Sequence, residues 1–150
     1  MAQMKRTLLV LLARLLLAAV FVLSALPKLQ DPGAFAAAVA NYRVIGAELS
    51  AWVALGLPWL ELVLGVGILL PPIRRSSSAL LLLLLLLFIG LHASAWARGL
   101  EISCGCFGSE DGAAASDYRW LIVRNLGLAL AAGLVLRQDL WNKRPPPCSQ

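Results

Sequence analysis

The sequence predicts an all-α membrane protein: a four-transmembrane-helix bundle with a short amphipathic helix after the first span. Three observations predict it. The chain is 60% hydrophobic and only 14% charged over 150 residues, with a mean hydropathy of +0.80; a soluble domain is near half apolar and about a quarter charged. The apolar residues gather into four stretches long enough to cross the ~30 Å hydrocarbon layer at about 1.5 Å per residue. Prolines, basic turns and polar segments separate those stretches. One domain is expected at this length. The net charge of +5 forms no basic stripe with interleaved aromatics, which argues against nucleic acid, and it fits the basic bias of cytoplasmic loops.

Residues 1–6 are short and basic. The first span is expected at about 7–27. A secretory signal peptide is the rival, with Lys5 and Arg6 as its basic region. Arg14 interrupts the apolar run, and the run is long for a signal, so a retained span is the better reading. Asp31-Pro32 then forms a good helix start, an N-cap followed by a first-turn proline. Phe35, Val39 and Tyr42 follow at helical spacing, predicting an amphipathic helix over 32–42, either in the membrane surface or packed on the bundle. The second span is expected at 49–70 with Pro58 and Glu61 inside it, ended by Pro71-Pro72. The third is expected at 78–97 and contains eight consecutive leucines at 80–87. A polar loop follows, and the fourth span is expected at 118–136. From 137 the chain reads as a polar tail with the composition of disorder.

The loops give an orientation. One side carries Lys5, Arg6, Arg74, Arg75, Arg137, Lys143 and Arg144. The other carries Lys28, Arg43, Arg98, Arg119 and Arg124, so the bias is seven against five. It places both termini in the cytoplasm and the polar loop after the third span outside. Trp52, Trp96, Trp120 and Trp141 fall near span ends, as an interfacial belt requires. Arg14, Leu17, Ala18, Phe21 and Ser24 share one face of the first span, with Lys28 beyond. Gly127 with Ala131, and Ala129 with Ala132 and Gly133, offer small-residue faces on the fourth span for close packing.

The outer loop holds the residues best suited to chemistry, Cys104 and Cys106. A disulfide between residues two apart needs a turn between them, which Gly105 permits. Such a ring is small and strained, hence easily reduced, and it closes almost no loop. That suits a thiol–disulfide exchange site, the reading favoured here. Metal binding is weakly supported, since no further cysteine or histidine cluster shares that face and zinc takes four ligands; an incidental pair is the remaining alternative. Cys148 lies across the bilayer and reads as a tail thiol.

Inside the spans, Glu61 lies about 16 Å from the outer end of the second helix. An ionisable group there should face the bundle interior with a partner. It is either a proton or ligand site, or one half of a structural ion pair with Arg14 or Arg124. Arg124-Asn125 sits about two turns into the fourth span, and His92 at similar depth on the third. These three with Glu61 are candidates for proton handling or for holding a quinone carbonyl. A cation near a thiol would also lower its pKa.

Together these residues are similar to those of the MauE branch of the DoxX-like membrane proteins. The matching features are Leu26-Pro27-Lys28 with Asp31-Pro32 and Phe35, then Pro58-Trp59-Leu60-Glu61 with Gly65, then Cys104-Gly105-Cys106-Phe107-Gly108, and Arg124-Asn125. The resemblance implies a four-span bundle like those of DsbB and vitamin K epoxide reductase. It also implies a place in redox maturation of exported proteins, with a thioredoxin-like or cysteine-rich partner; in the family this serves methylamine dehydrogenase and methylamine metabolism. In a bacterium the location would be the inner membrane, with the cysteine loop on the oxidising face. One departure stands out. DsbB-like enzymes relay electrons through two cysteine pairs, and this chain has a single outer pair. Either that pair exchanges directly with both a partner and an acceptor such as a quinone, or the protein is a non-catalytic scaffold that recruits the partner.

Overall fold

The computed structural model of the chain describes residues 2–100 and 118–141. These form five helices: α1 (Ala2–Gln30), α2 (Pro32–Asn41), α3 (Ala47–Gly67), α4 (Arg74–Ala97) and α5 (Tyr118–Trp141). All but α2 contain a segment long and apolar enough to cross a membrane. In contact order the four run as a ring: α1 packs on α3, α3 on α4, α4 on α5, and α5 back on α1. The short α2 lies against α3 and α1. Its Phe35 is buried, so α2 is a packed part of the bundle.

The distribution of apolar side chains is that of a protein in lipid. Leu8, Leu12, Leu16, Leu83, Leu87 and Leu130 point outward and are about half exposed or more. In water such a surface would aggregate; in hydrocarbon it is solvated, while helices keep every backbone bond internal. The interior combines Leu17, Ile68, Leu81, Leu85 and Val135 with the small residues Ala18, Ala95, Ala129 and Ala132. On α5 it is Ala129 and Ala132 that pack inward. Gly127 faces outward, and a Cβ there would meet nothing within 4 Å. α1 and α3 approach closely at Gly65, where a Cβ would stand 3.1 Å from Phe21 Cβ and 3.4 Å from the Ala18 carbonyl oxygen.

Several helix ends differ from expectation: α1 begins at Ala2 rather than 7, and α3 runs Ala47–Gly67 rather than 49–70. α1 runs through Pro27 to Gln30, with the Asp31 amide bonded to the Pro27 carbonyl at 3.1 Å. Proline removes only its own donor, and the next turn closes behind it. Asp31 then turns the chain: its carboxylate accepts from the Ala34 amide at 2.8 Å and Pro32 opens α2. α4 begins at Arg74 rather than 78, and α5 continues to Trp141. The residues read as the start of a polar tail therefore include helix, because Asp139 on its last turn is buried and ion-paired.

Just past α4 and its C-cap Arg98 comes Gly99, whose φ is +61°. The Leu100 amide reaches the Ala95 carbonyl and the Gly99 amide that of Trp96, the Schellman arrangement that a left-handed glycine permits. Arg43, at the end of α2, adopts φ 51°, which costs a residue with a Cβ. The Arg98 guanidinium donates to the carbonyls of Tyr42 and Arg43, tying the end of α4 to the end of α2.

Candidate functional site

Two charged clusters lie at opposite ends of the bundle. At the end that holds the start of α1 and the close of α5, Asp139 accepts from Arg14 at 2.9 Å and from Arg74 at 3.2 Å. Asp139 is 7% exposed, and both arginines are half-buried. This cluster staples α1, α4 and α5 together.

The other end holds a cavity of about 260 Å³ between all five helices. Phe21, Leu57, Leu85, Phe88 and Leu128 are among its apolar walls. Its polar groups come from every span: Ser24 and Lys28 from α1, Glu61 from α3, His92 from α4, Arg124 and Asn125 from α5. Tyr42 of α2 also lines it. The structure thus brings together all four intramembrane candidates read from the sequence.

The Glu61 partner is Lys28. The ammonium donates to both carboxylate oxygens, at 2.7 and 2.6 Å, and each side chain is 2% exposed. The ion-pair alternative is thus met, with a partner other than Arg14 or Arg124: Arg14 is engaged with Asp139 at the far end. Lys28 reaches Glu61 because α1 does not stop at Pro27, so its last turn carries Lys28 inward. Its Nζ also sits over the Phe35 and Phe88 rings, at 5.1 and 5.9 Å from their centroids, where ring quadrupoles attract a cation. A buried ion pair without such further partners is poorly compensated for desolvation. Its spacing from Ser24 puts Lys28 on the inward helical face, although its position after Pro27 reads as a loop charge.

His92 is buried, and its Nδ1 lies 2.5 Å from the Phe88 carbonyl oxygen one turn earlier. A carbonyl only accepts, so Nδ1 carries a proton, and in the neutral ring Nε2 is the acceptor nitrogen. Tyr42 meets the His92 ring edge-on, with centroids 5.9 Å apart. Asn125 is buried and Arg124 half-buried beside it. Lys28 and Glu61 cancel, and Arg124 adds a guanidinium to the chamber's donors. Such a site favours an electron-rich oxygen, a carbonyl or an anion, on an otherwise apolar molecule.

The segment joining α4 to α5 leaves from this same end. Near its second anchor, Arg119 stacks over Trp96 at 5.9 Å. Cys104 and Cys106 belong to that segment and, with Cys148, lie outside the described residues.

A multi-pass helical membrane bundle with a paired carboxylate and ammonium in the wall of an internal chamber is the class that fold and site define. Comparison with known proteins narrows it. The chain belongs to the MauE family: the family model described as methylamine utilisation protein MauE matches residues 6–138. Among relatives, the methylamine utilization protein MauE of Methylorubrum extorquens is 47% identical over 111 residues, covering 73% of this chain and 58% of the relative. That of Paracoccus denitrificans is 37% identical over 128 residues, 81% of this chain and 67% of the relative. That of Methylophilus methylotrophus is 36% identical over 95 residues, 63% and 50%. The chain spans between half and two thirds of the length of these relatives. No solved structure matches it.

Proposed function

We propose that this chain is a redox-associated membrane protein of methylamine utilisation that supports disulfide formation in an exported, cysteine-rich or thioredoxin-like partner. The observation that carries the reading is the family match over residues 6–138, a range that includes Cys104 and Cys106. The polar chamber supports it, since it lies at the end of the bundle from which the cysteine segment departs. In this reading both termini face the cytoplasm of a bacterial inner membrane and the cysteines face outward, where a disulfide persists.

The exchange balances as follows. A partner thiolate attacks the Cys104–Cys106 disulfide, forming a mixed disulfide and releasing one cysteine thiolate. The second partner thiol then attacks its own mixed-disulfide sulfur. The partner gains a disulfide, and Cys104 and Cys106 are left as a dithiol carrying its two electrons. With one outer pair, those electrons must leave to a small acceptor. A quinone bound in the chamber would take up two electrons and two protons. The chamber suits that group: its walls are apolar, Lys28, Arg124 and Asn125 supply donors for a carbonyl oxygen, and His92 and Glu61 are placed to hold protons. The DoxX-, DsbB- and vitamin K epoxide reductase-like character of the bundle belongs to the same proposal.

The test is capture of the mixed disulfide. Cys104→Ala and Cys106→Ala, expressed singly in cells that make the partner, should each remove turnover, and one of them should accumulate a reductant-sensitive adduct. A double variant that leaves the partner's disulfides intact overturns the exchange reading. If assembly then still requires Glu61, the scaffold reading replaces it.

A further inference from the structure

At the Asp139 end, away from the chamber, a groove of about 320 Å³ runs between α1 and α5, lined by Leu9, Val10, Leu134, Arg137 and Gln138. Three of these are apolar, and the polar two sit on the last turns of α5. Arg137 is exposed and makes no ion pair among the described residues. The side-chain oxygen of Gln138 is fully buried and accepts no hydrogen bond from any described group. That oxygen is closed off from the groove, so the polar group open to a ligand is the exposed Arg137 guanidinium, which calls for an anion. The local charge points the same way. Arg14, Arg74 and Arg137 gather here against the single carboxylate Asp139, which Arg14 and Arg74 already share.

We infer that this groove is a binding site for an anionic glycerophospholipid. The phosphodiester pairs with Arg137, and one acyl chain lies along Leu9, Val10 and Leu134. Basic pockets between spanning helices at the end of a bundle suit such headgroups. An apolar groove and a cation at its rim match the two halves of one lipid molecule, which a free phosphate does not. The inference is independent of the cysteine chemistry.

Native mass spectrometry of the full chain in detergent tests it, with phosphatidylglycerol and phosphatidylcholine of identical acyl chains. Phosphatidylglycerol should be retained about fivefold more, the factor expected for one basic residue at an anionic headgroup. Arg137→Gln should abolish that preference. Leu134→Trp, which fills the groove and leaves every charge in place, should displace the lipid altogether. Arg75→Gln, at an exposed cation outside the groove, should change nothing. Equal retention of the two lipids overturns the site. So does an equal loss in Arg75→Gln and Arg137→Gln, which would mean diffuse attraction, and so does displacement by inorganic phosphate, which would mean an ion site without a lipid.

Discussion

Lys28, at the last turn of α1, holds both carboxylate oxygens of Glu61 near the centre of α3, at 2.7 and 2.6 Å, under the rings of Phe35 and Phe88. The pair joins α1 to α3 and forms part of the chamber wall. Its removal should therefore be felt in stability and in function separately.

Lys28→Met leaves Glu61 buried with its charge unanswered and should cost about 3–5 kcal/mol. Replacing both, Lys28→Met with Glu61→Leu, removes the charges together and should recover most of that loss. Thermal unfolding in detergent of the two single variants and the double one reads this directly. If the pair also serves the chamber, the double variant will be stable and still fail to support the partner's disulfides in cells.

Gly65→Ala puts a methyl against Phe21 Cβ and the Ala18 carbonyl, neither of which can rotate away. It should separate α1 from α3 at a cost of about 1–3 kcal/mol. Gly127→Ala meets open space and should stabilise α5 by about 0.5–1 kcal/mol. Opposite signs in paired melting curves would establish which glycine sets helix spacing.

Arg43→Gly relieves a left-handed residue and keeps the carbonyl that Arg98 uses. The variant should be more stable by about 1 kcal/mol. A drop instead would mean that the Arg43 side chain contributes more than its backbone costs.

Asp139→Asn leaves Arg14 and Arg74 without their carboxylate and should cost about 2–3 kcal/mol. Proteolysis near the end of α5 should accelerate with it, while α2 at the other end stays protected.

Much of this architecture was legible in the residues. The four apolar stretches, the Asp31-Pro32 helix start and the inward face of α1 follow from length, capping chemistry and period. The convergence of Glu61, His92, Arg124 and Asn125 was legible as depth alone, since each was placed by counting turns from a span end. What depth cannot give is azimuth, the direction in which a side chain leaves its helix. Arg14 and Arg124 were at suitable depths for Glu61, yet Lys28 has the direction. Asp139 was hidden for a related reason. Its neighbours Arg137, Gln138 and Asn142 read as tail, and only the arginines of α1 and α4, distant in sequence, make it part of the bundle.

The pairing of Lys28 with Glu61 has an electrical consequence. As an ion pair the two side chains carry no net charge, and their presence in the span is insensitive to the transmembrane voltage. A single proton gained or lost there leaves one whole charge inside the field, where complete passage is worth about 2.3 kcal/mol per 100 mV. Any turnover that protonates or deprotonates this pair will therefore run at a rate that depends on the energisation of the membrane, and collapsing the voltage with an ionophore will shift it.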